Sequence, residues 1–187
     1  APLVIDTTDA DVVEEALKTA PGRVIVNSIN MENGRERIDT VLPLVKQHGA
    51  AVMALTIDEI GMAKTAERKV EVARKIYEIA VGEYGLTPDA LIWDVLTFTL
   101  ATGDAEWENS AIETLEGIRQ VKAAFPGTLT SLGVSNVSFG LGEAARAILN
   151  SVFLHRCVEA GLDMAIVNPA HIKPYAEISP EHRELAD

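Results

Sequence analysis

The chain has 187 residues, 48% apolar and 24% charged, enough for one globular domain with a sizeable core. A net charge of −12, with no basic stretch to offset it, argues against a phosphate backbone as partner and so against nucleic acid. A single cysteine excludes an internal disulfide or thiolate metal cluster, and neither a run of membrane-spanning length nor a basic-then-apolar leader is present, so a reducing cytoplasm is expected.

A short apolar run predicts a strand at residues 3–6, and Asp9 directly precedes a helix predicted over 9–19, which it suits as N-cap. Next come a β-branched strand at 24–29 and an amphipathic helix at 35–48. A third strand at 51–57 leads to a helix at 65–84 whose apolar stripe is Val70, Ala73, Ile76, Tyr77 and Ala80. A strand at 91–96, a helix at 106–124, a strand at 129–135, a helix at 143–160 and a strand at 164–168 complete the alternation. Gly49, Gly85, Gly127 and Gly161 sit just past the last four helices, where a left-handed C-cap favours glycine. Cys157, inside the apolar pattern of the last helix, reads as a buried structural thiol. After Asn168 the pattern stops, and Pro169, Pro174 and Pro180 mark 169–187 as an irregular arm or linker beside a βα region at 1–168.

Six strands alternating with helices imply an α/β fold around a parallel sheet, either open and doubly wound or most of an eight-stranded barrel. The chain is short for a barrel of about 250 residues. An incomplete barrel leaves exposed strand edges, so the first two βα units are expected to be absent or supplied separately.

Parallel α/β folds place their ligands at the C-terminal ends of the strands. Five of six predicted ends carry a carboxylate or amide: Asp6, Asn27, Asp94, Asn136 and Asn168; the other ends at Thr56 and Asp58. Such a mouth is rich in acceptors and poor in cations, which suits a flat heterocycle bearing N–H donors and carbonyls, and not a phosphate. Any one of these residues could instead start a loop or cap a helix. Ser110, Thr65 and Asp39 have ordinary surface or capping explanations. His48 near a helix C-terminus and His155 within an apolar helix do not look catalytic, and no histidine pair has metal-site spacing.

At these residues the chain resembles the methyltetrahydrofolate:corrinoid methyltransferase family, and within it the pterin-binding domains of cobalamin-dependent methionine synthases. The resemblance rests on Ile5-Asp6-Thr7-Thr8, Val26-Asn27-Ser28-Ile29-Asn30, Leu55-Thr56-Ile57-Asp58-Glu59, Gly133-Val134-Ser135-Asn136-Val137-Ser138-Phe139-Gly140-Leu141, Leu149-Asn150-Ser151-Val152-Phe153-Leu154 and Ala160-Gly161-Leu162-Asp163-Met164-Ala165-Ile166-Val167-Asn168. It runs from residue 2 to about residue 175 and implies a pterin-binding (β/α)8 barrel of which strands three to eight are present. The family's early Glu-Arg-Ile-Asn-like strand and following Asp-Asn strand end have no counterpart here, which puts autonomous activity in doubt.

The resemblance further implies that Asp6, Asn27 and Asp94 hold the pterin ring of 5-methyltetrahydrofolate, that Asn136 faces N5, and that Arg146 lies near the folate. The methyl acceptor it implies is cob(I)alamin, carried by a cobalamin-binding domain or corrinoid protein, in methionine synthesis. A tertiary amine releases its methyl poorly unless protonated, and an amide such as Asn136 can accept from protonated N5, binding the transition state better than the ground state. General-acid effects are worth about 10²- to 10⁴-fold, which sets the expected scale. Two rivals remain: a noncatalytic folate-binding piece of a larger enzyme, and a dihydropteroate synthase-like enzyme. The second would need cations for a pyrophosphate leaving group, and residues 128–138 contain neither Lys nor Arg.

Overall fold

Asp9 caps the first helix as its position requires, its Oδ1 accepting the backbone N–H groups of Asp11 at 2.9 Å and Val12 at 3.4 Å. The computed structural model describes residues 2–101 and 107–186. In chain order the elements are β1 Val4–Asp6, α1 Ala10–Thr19, β2 Ile25–Ile29, α2 Glu36–His48, β3 Ala51–Leu55, β4 Ile57–Asp58, β5 Gly61–Met62 and α3 Ala66–Tyr77. They continue with β6 Leu91–Asp94, α4 Ser110–Ala124, β7 Leu129–Ser131, α5 Glu143–Ala160 and α6 Pro180–Ala186.

Five strands form one parallel sheet in the order β1-β2-β3-β6-β7, each beside its predecessor in the chain. The main core packs the helices on one face of it, against Val24, Val26, Val52, Ala54, Leu91 and Trp93. The opposite face carries a second, smaller cluster of Ile25, Ala51, Met53 and Ile92, with Leu129 and Met164 against it. Both faces are therefore apolar, which explains why these strands read as continuous β-branched runs. Sequential order with helices on one side is TIM-barrel-like winding and rules out the doubly wound alternative, which covers both faces with helices. Among the described residues the sheet does not close: β1 and the segment at 164–168 are not paired.

Several elements differ from the sequence expectation. The strand expected at 164–168 is reduced to one bridge, Ile166 with Gly133, although the Met164 and Ile166 N–H groups still donate to the carbonyls of Thr130 at 3.0 Å and Leu132 at 2.9 Å before the chain turns into a 3-10 helix, Val134–Ser138. The strand expected at 51–57 stops at Leu55, and Ile57–Asp58 pairs antiparallel with Gly61–Met62 as a small hairpin. The strand expected at 91–96 ends at Asp94, since Leu96 adopts φ 62°, which no strand accommodates. α3 gives way to a π-helix over Glu78–Glu83, so the helix expected at 65–84 changes its winding within its span. Of the helix expected at 106–124, residue 106 lies outside the described residues, and the observed helix begins at Ser110. The arm at 169–187 contains two 3-10 turns and α6.

Gly49 and Gly161 end α2 and α5 at φ 63° and 107°, the left-handed caps anticipated for them. Trp93 is fully buried; it donates Nε1–H to Thr128 Oγ1 at 3.0 Å and packs on Phe125 at 5.5 Å between centroids. Cys157 is buried, as expected, and burial pushes its thiol up to about 12. No helix among the described residues is long and apolar enough to cross a membrane.

Candidate functional site

The strand register decides which candidate residues share a level. Asp6 pairs with Asn27, Asn27 with Met53, and Met53 with Ile92, which forms one row across β1, β2, β3 and β6. Asp94 stands two residues beyond that row, about 6.6 Å nearer the mouth, in a row with Leu55 and Ser131. Alternation from Ile25, Ile92 and Leu129 of the inner cluster puts Asn27, Asp94 and Ser131 on that same inner face. Asn27 Nδ2 donates to Asp6 Oδ1 at 3.4 Å, and β3 separates this pair from Asp94 by about 10 Å across the sheet.

Asp94 Oδ1 accepts the Leu96 N–H at 2.8 Å, and its carboxylate also takes the Gly133 N–H. Asp94 is half-buried and keeps part of its surface accessible. Burial pushes that carboxyl up to about 6, and the Leu96 N–H, the charge of Lys69 and the Gly133 N–H hold it from rising further. Asn136 lies in the 3-10 turn after β7, exposed, with its Nδ2 so close to Gly133 that a Cβ there would approach it to 3.0 Å. Gly133 thus joins Asp94 and Asn136, while Asp6 and Asn27 form a second pair along the same rim.

The cations near this rim face protein acceptors. Arg37 of α2 donates to the carbonyls of Thr7 at 2.9 Å, Thr8 at 2.8 Å and Ser28 at 3.1 Å, tying together the loops that follow Asp6 and Asn27. Arg146 of α5 donates Nε–H to Ser138 Oγ at 3.1 Å and Nη2–H to the Ser135 carbonyl at 3.2 Å, bracing the turn that carries Asn136. It also lines a cavity of about 400 Å³ with Ser135, Asn150, Asn168 and His171, a cavity that Asp6, Asn27 and Asp94 do not line.

Other candidates resolve into structural roles. Asn168 caps the turn Pro169–His171 by accepting the Ala170 N–H at 3.1 Å. Asp58 is fully buried beneath Arg68 and Lys75, with Lys75 Nζ at 2.9 Å, and also accepts the Ile60 N–H. Burial works to raise its carboxyl, but Lys75, Arg68 and the Ile60 N–H outweigh it and hold the group below the usual range. Ser110 is buried, not a surface cap, and its Oγ accepts the Phe98 N–H at 2.9 Å. Thr65 caps α3 and Asp39 is a surface partner of Arg35 and Tyr84, as expected. His155 stacks on Tyr175 at 3.9 Å, and no cluster of three metal-ligating side chains occurs among the described residues.

Two inner-region residues escaped the sequence reading. Ser131 is fully buried beside Asp94 in register, and its hydroxyl makes no hydrogen bond among the described residues. Its signal was its place two residues after Leu129. Lys69 is also fully buried, and it lies three and four residues before Val72 and Ala73, on the apolar side of α3.

The sequence pattern shared by pterin binding enzymes matches residues 1–168. The chain is 46% identical over 188 aligned residues to methionine synthase of Mycobacterium tuberculosis (strain ATCC 25618 / H37Rv) and equally to that of Mycobacterium leprae (strain TN), covering 99% of this chain. It spans only 16% of the length of each of these relatives. Its fold is similar to that of dihydropteroate synthase from Thermus thermophilus, with a TM-score of 0.60 and 19% identity over 100% of this chain and 70% of the other. A dihydropteroate synthase from Xanthomonas albilineans, in complex with 7,8-dihydropteroate, gives a TM-score of 0.59 and 14% identity over 88% of this chain and 60% of the other. At such identities these two structures speak for the fold alone. The match over residues 1–168, laid on a TIM-barrel-like sheet whose C-terminal rim is lined with carboxylates and amides, shows that this chain belongs to the pterin binding enzymes.

Proposed function

We propose that this chain is the folate-binding part of a methyltransferase of methionine synthesis. It holds 5-methyltetrahydrofolate by the pterin ring and presents its N5 methyl group to cob(I)alamin carried by another domain or protein. The observation that carries this reading is Asp94: a half-buried rim carboxylate with two backbone N–H partners and lone pairs left over for a ligand. Above about pH 6 it is ionised, and an anion facing the parallel amino and amide N–H groups of a pterin makes strong, directional bonds.

In this proposal Asp6 and Asn27 hold a second edge of the ring, Asn136 accepts from protonated N5, and Arg146 lies near the folate while bracing the Asn136 turn. Cob(I)alamin supplies the nucleophile; the residues of this chain bind the donor, orient it and favour its protonated form at N5. Arg37, Lys69 and Arg146 are bonded to protein acceptors, which supports a pterin over a pyrophosphate-bearing substrate and ranks a dihydropteroate synthase-like reaction lower. Two further βα units between β1 and the segment at 164–168 would close the barrel. Support for this comes from Leu3 and Val4 at the free edge of β1, 55% and 47% exposed. Residues 1–168 would then be the pterin-binding region, and 169–187 the arm that leads from it.

That open edge also favours a second reading, a folate-binding piece without activity of its own. Calorimetric titration with 5-methyltetrahydrofolate, beside Asp94→Ala, tests the site: saturable binding lost in the variant supports it, and equal binding by both defeats it. Adding free cob(I)alamin and following its absorbance then separates methyl transfer from binding alone.

A further inference from the structure

Lys69 has no exposed surface, and no carboxylate among the described residues is in ion-pair contact with it. Its ammonium donates to the carbonyls of Val95 at 2.7 Å, Ala63 at 3.0 Å and Leu96 at 3.3 Å, which uses all three N–H groups. An ammonium buried against neutral carbonyls is costly, so its place calls for a return elsewhere. Two of these carbonyls, those of Val95 and Leu96, follow directly on Asp94. Leu96 has φ 62°, a left-handed conformation unfavourable for a branched side chain. Asp94 Oδ1 takes the Leu96 N–H while Lys69 takes the Leu96 carbonyl, so this residue is gripped from both sides.

The helix opposite leaves room for this grip. A Cβ at Gly117 of α4 would come within 2.6 Å of Lys69 Cδ, so a larger residue there would displace the lysine stem. The groups facing the ammonium from neighbouring elements are Asp94 of β6, Glu113 of α4 and the ring of Phe98 at 5.5 Å. Neither carboxylate neutralises it by contact, and its charge acts on Asp94 through space.

We propose that Lys69 is a positioning residue for the pterin subsite: by fixing the backbone of residues 95 and 96, it holds the Asp94 carboxylate in a single orientation and keeps it ionised. This rests on the reading that Asp94 meets the pterin. Lys69 itself does not touch ligand, because its donors are occupied and it is closed off from the mouth.

The test compares the 187-residue chain with Lys69→Met, which keeps the stem and removes the donors and charge. Two quantities are read: 5-methyltetrahydrofolate affinity by calorimetry, and titration of the Asp94 carboxyl by 13C NMR without ligand. The expected result is an affinity loss of about tenfold, within the range of coupled neighbours, and an Asp94 carboxyl that titrates at higher pH than in the parent chain. A variant with unchanged affinity overturns the proposal, and so does one in which Asp94 titrates as in the parent, since the lysine would then neither place that carboxylate nor act on its charge. If Lys69→Met lacks a cooperative melt, Gly117→Ala takes its place: it pushes the stem without removing charge. There, unchanged affinity and an unchanged Asp94 titration overturn the proposal. A parent chain that binds no folate, with the titration shift intact in Lys69→Met, defeats the pterin reading and leaves the grip on Asp94 standing.

Discussion

Replacing Asp94 with Asn should stabilise the protein at neutral pH while removing ligand binding. Its carboxyl is raised from the ordinary 3.8 to about 6, a shift of about two units, and each unit is worth about 1.4 kcal/mol. Because the folded-state value is raised, the folded chain holds this proton more tightly than the unfolded chain. The resulting stability is fully present below about pH 4 and lost as pH rises through about 6, leaving a deficit of about 3 kcal/mol. Asn keeps an acceptor for the Leu96 N–H but loses the charge assistance, which trims the gain by about 1 kcal/mol. The net expectation at pH 8 is a variant more stable by about 2 kcal/mol, or about 4–8 °C in Tm for a chain of this size. Urea denaturation of both proteins from pH 4 to pH 8 measures the difference directly and cancels the titrating groups that do not interact with Asp94; Lys69, which does, adds its own dependence only toward pH 8. A difference that is flat with pH, or a variant less stable at pH 8, would refute the reasoning; folate affinity should fall whatever the pH.

Gly133→Ala brings a Cβ to 3.0 Å from Asn136 Nδ2, while φ −75° at that position accommodates alanine, so the fold should survive and the amide should shift. Methyl transfer is expected to slow about tenfold with affinity changed less than about twofold, as befits a transition-state contact; equal losses in both would count against the role given to Asn136. Asp58→Ala leaves Arg68 and Lys75 without their buried partner and should cost about 3 kcal/mol, the low end of the range because Lys75 is 40% exposed and can rehydrate. The depressed Asp58 carboxyl contributes stability at neutral pH that is lost as pH falls through its folded value, so the parent and variant unfolding energies should converge in acid. Cys157, its thiol pushed up to about 12 and buried, should react with a thiol reagent only at the rate of unfolding, and native-state labelling within minutes would contradict its placement.

The sequence by itself determined the alternation of strands and helices, the Asp9 and Thr65 caps, the glycine caps at 49 and 161, and the buried Cys157, because each is encoded within one turn or one repeat of the chain. It also placed Asp6, Asn27, Asp94 and Asn136 on one rim, since strand ends in a parallel sheet share a side. What only the tertiary structure decided is which of them meet. Register pairs Asp6 with Asn27 and carries Asp94 two residues further toward the mouth, and no local pattern specifies register between strands whose two faces are both apolar. Single residues were misjudged where long-range contacts prevail: the strand expected at 164–168 is cut to a bridge at Ile166, and Asn168 caps a turn. Lys69, polar in isolation, is buried because the carbonyls of Val95 and Leu96, distant in the chain, converge with that of Ala63 on its ammonium and Gly117 makes space for its stem. Buried polar groups find their partners through the fold, and that is the part of a site a linear reading reaches last.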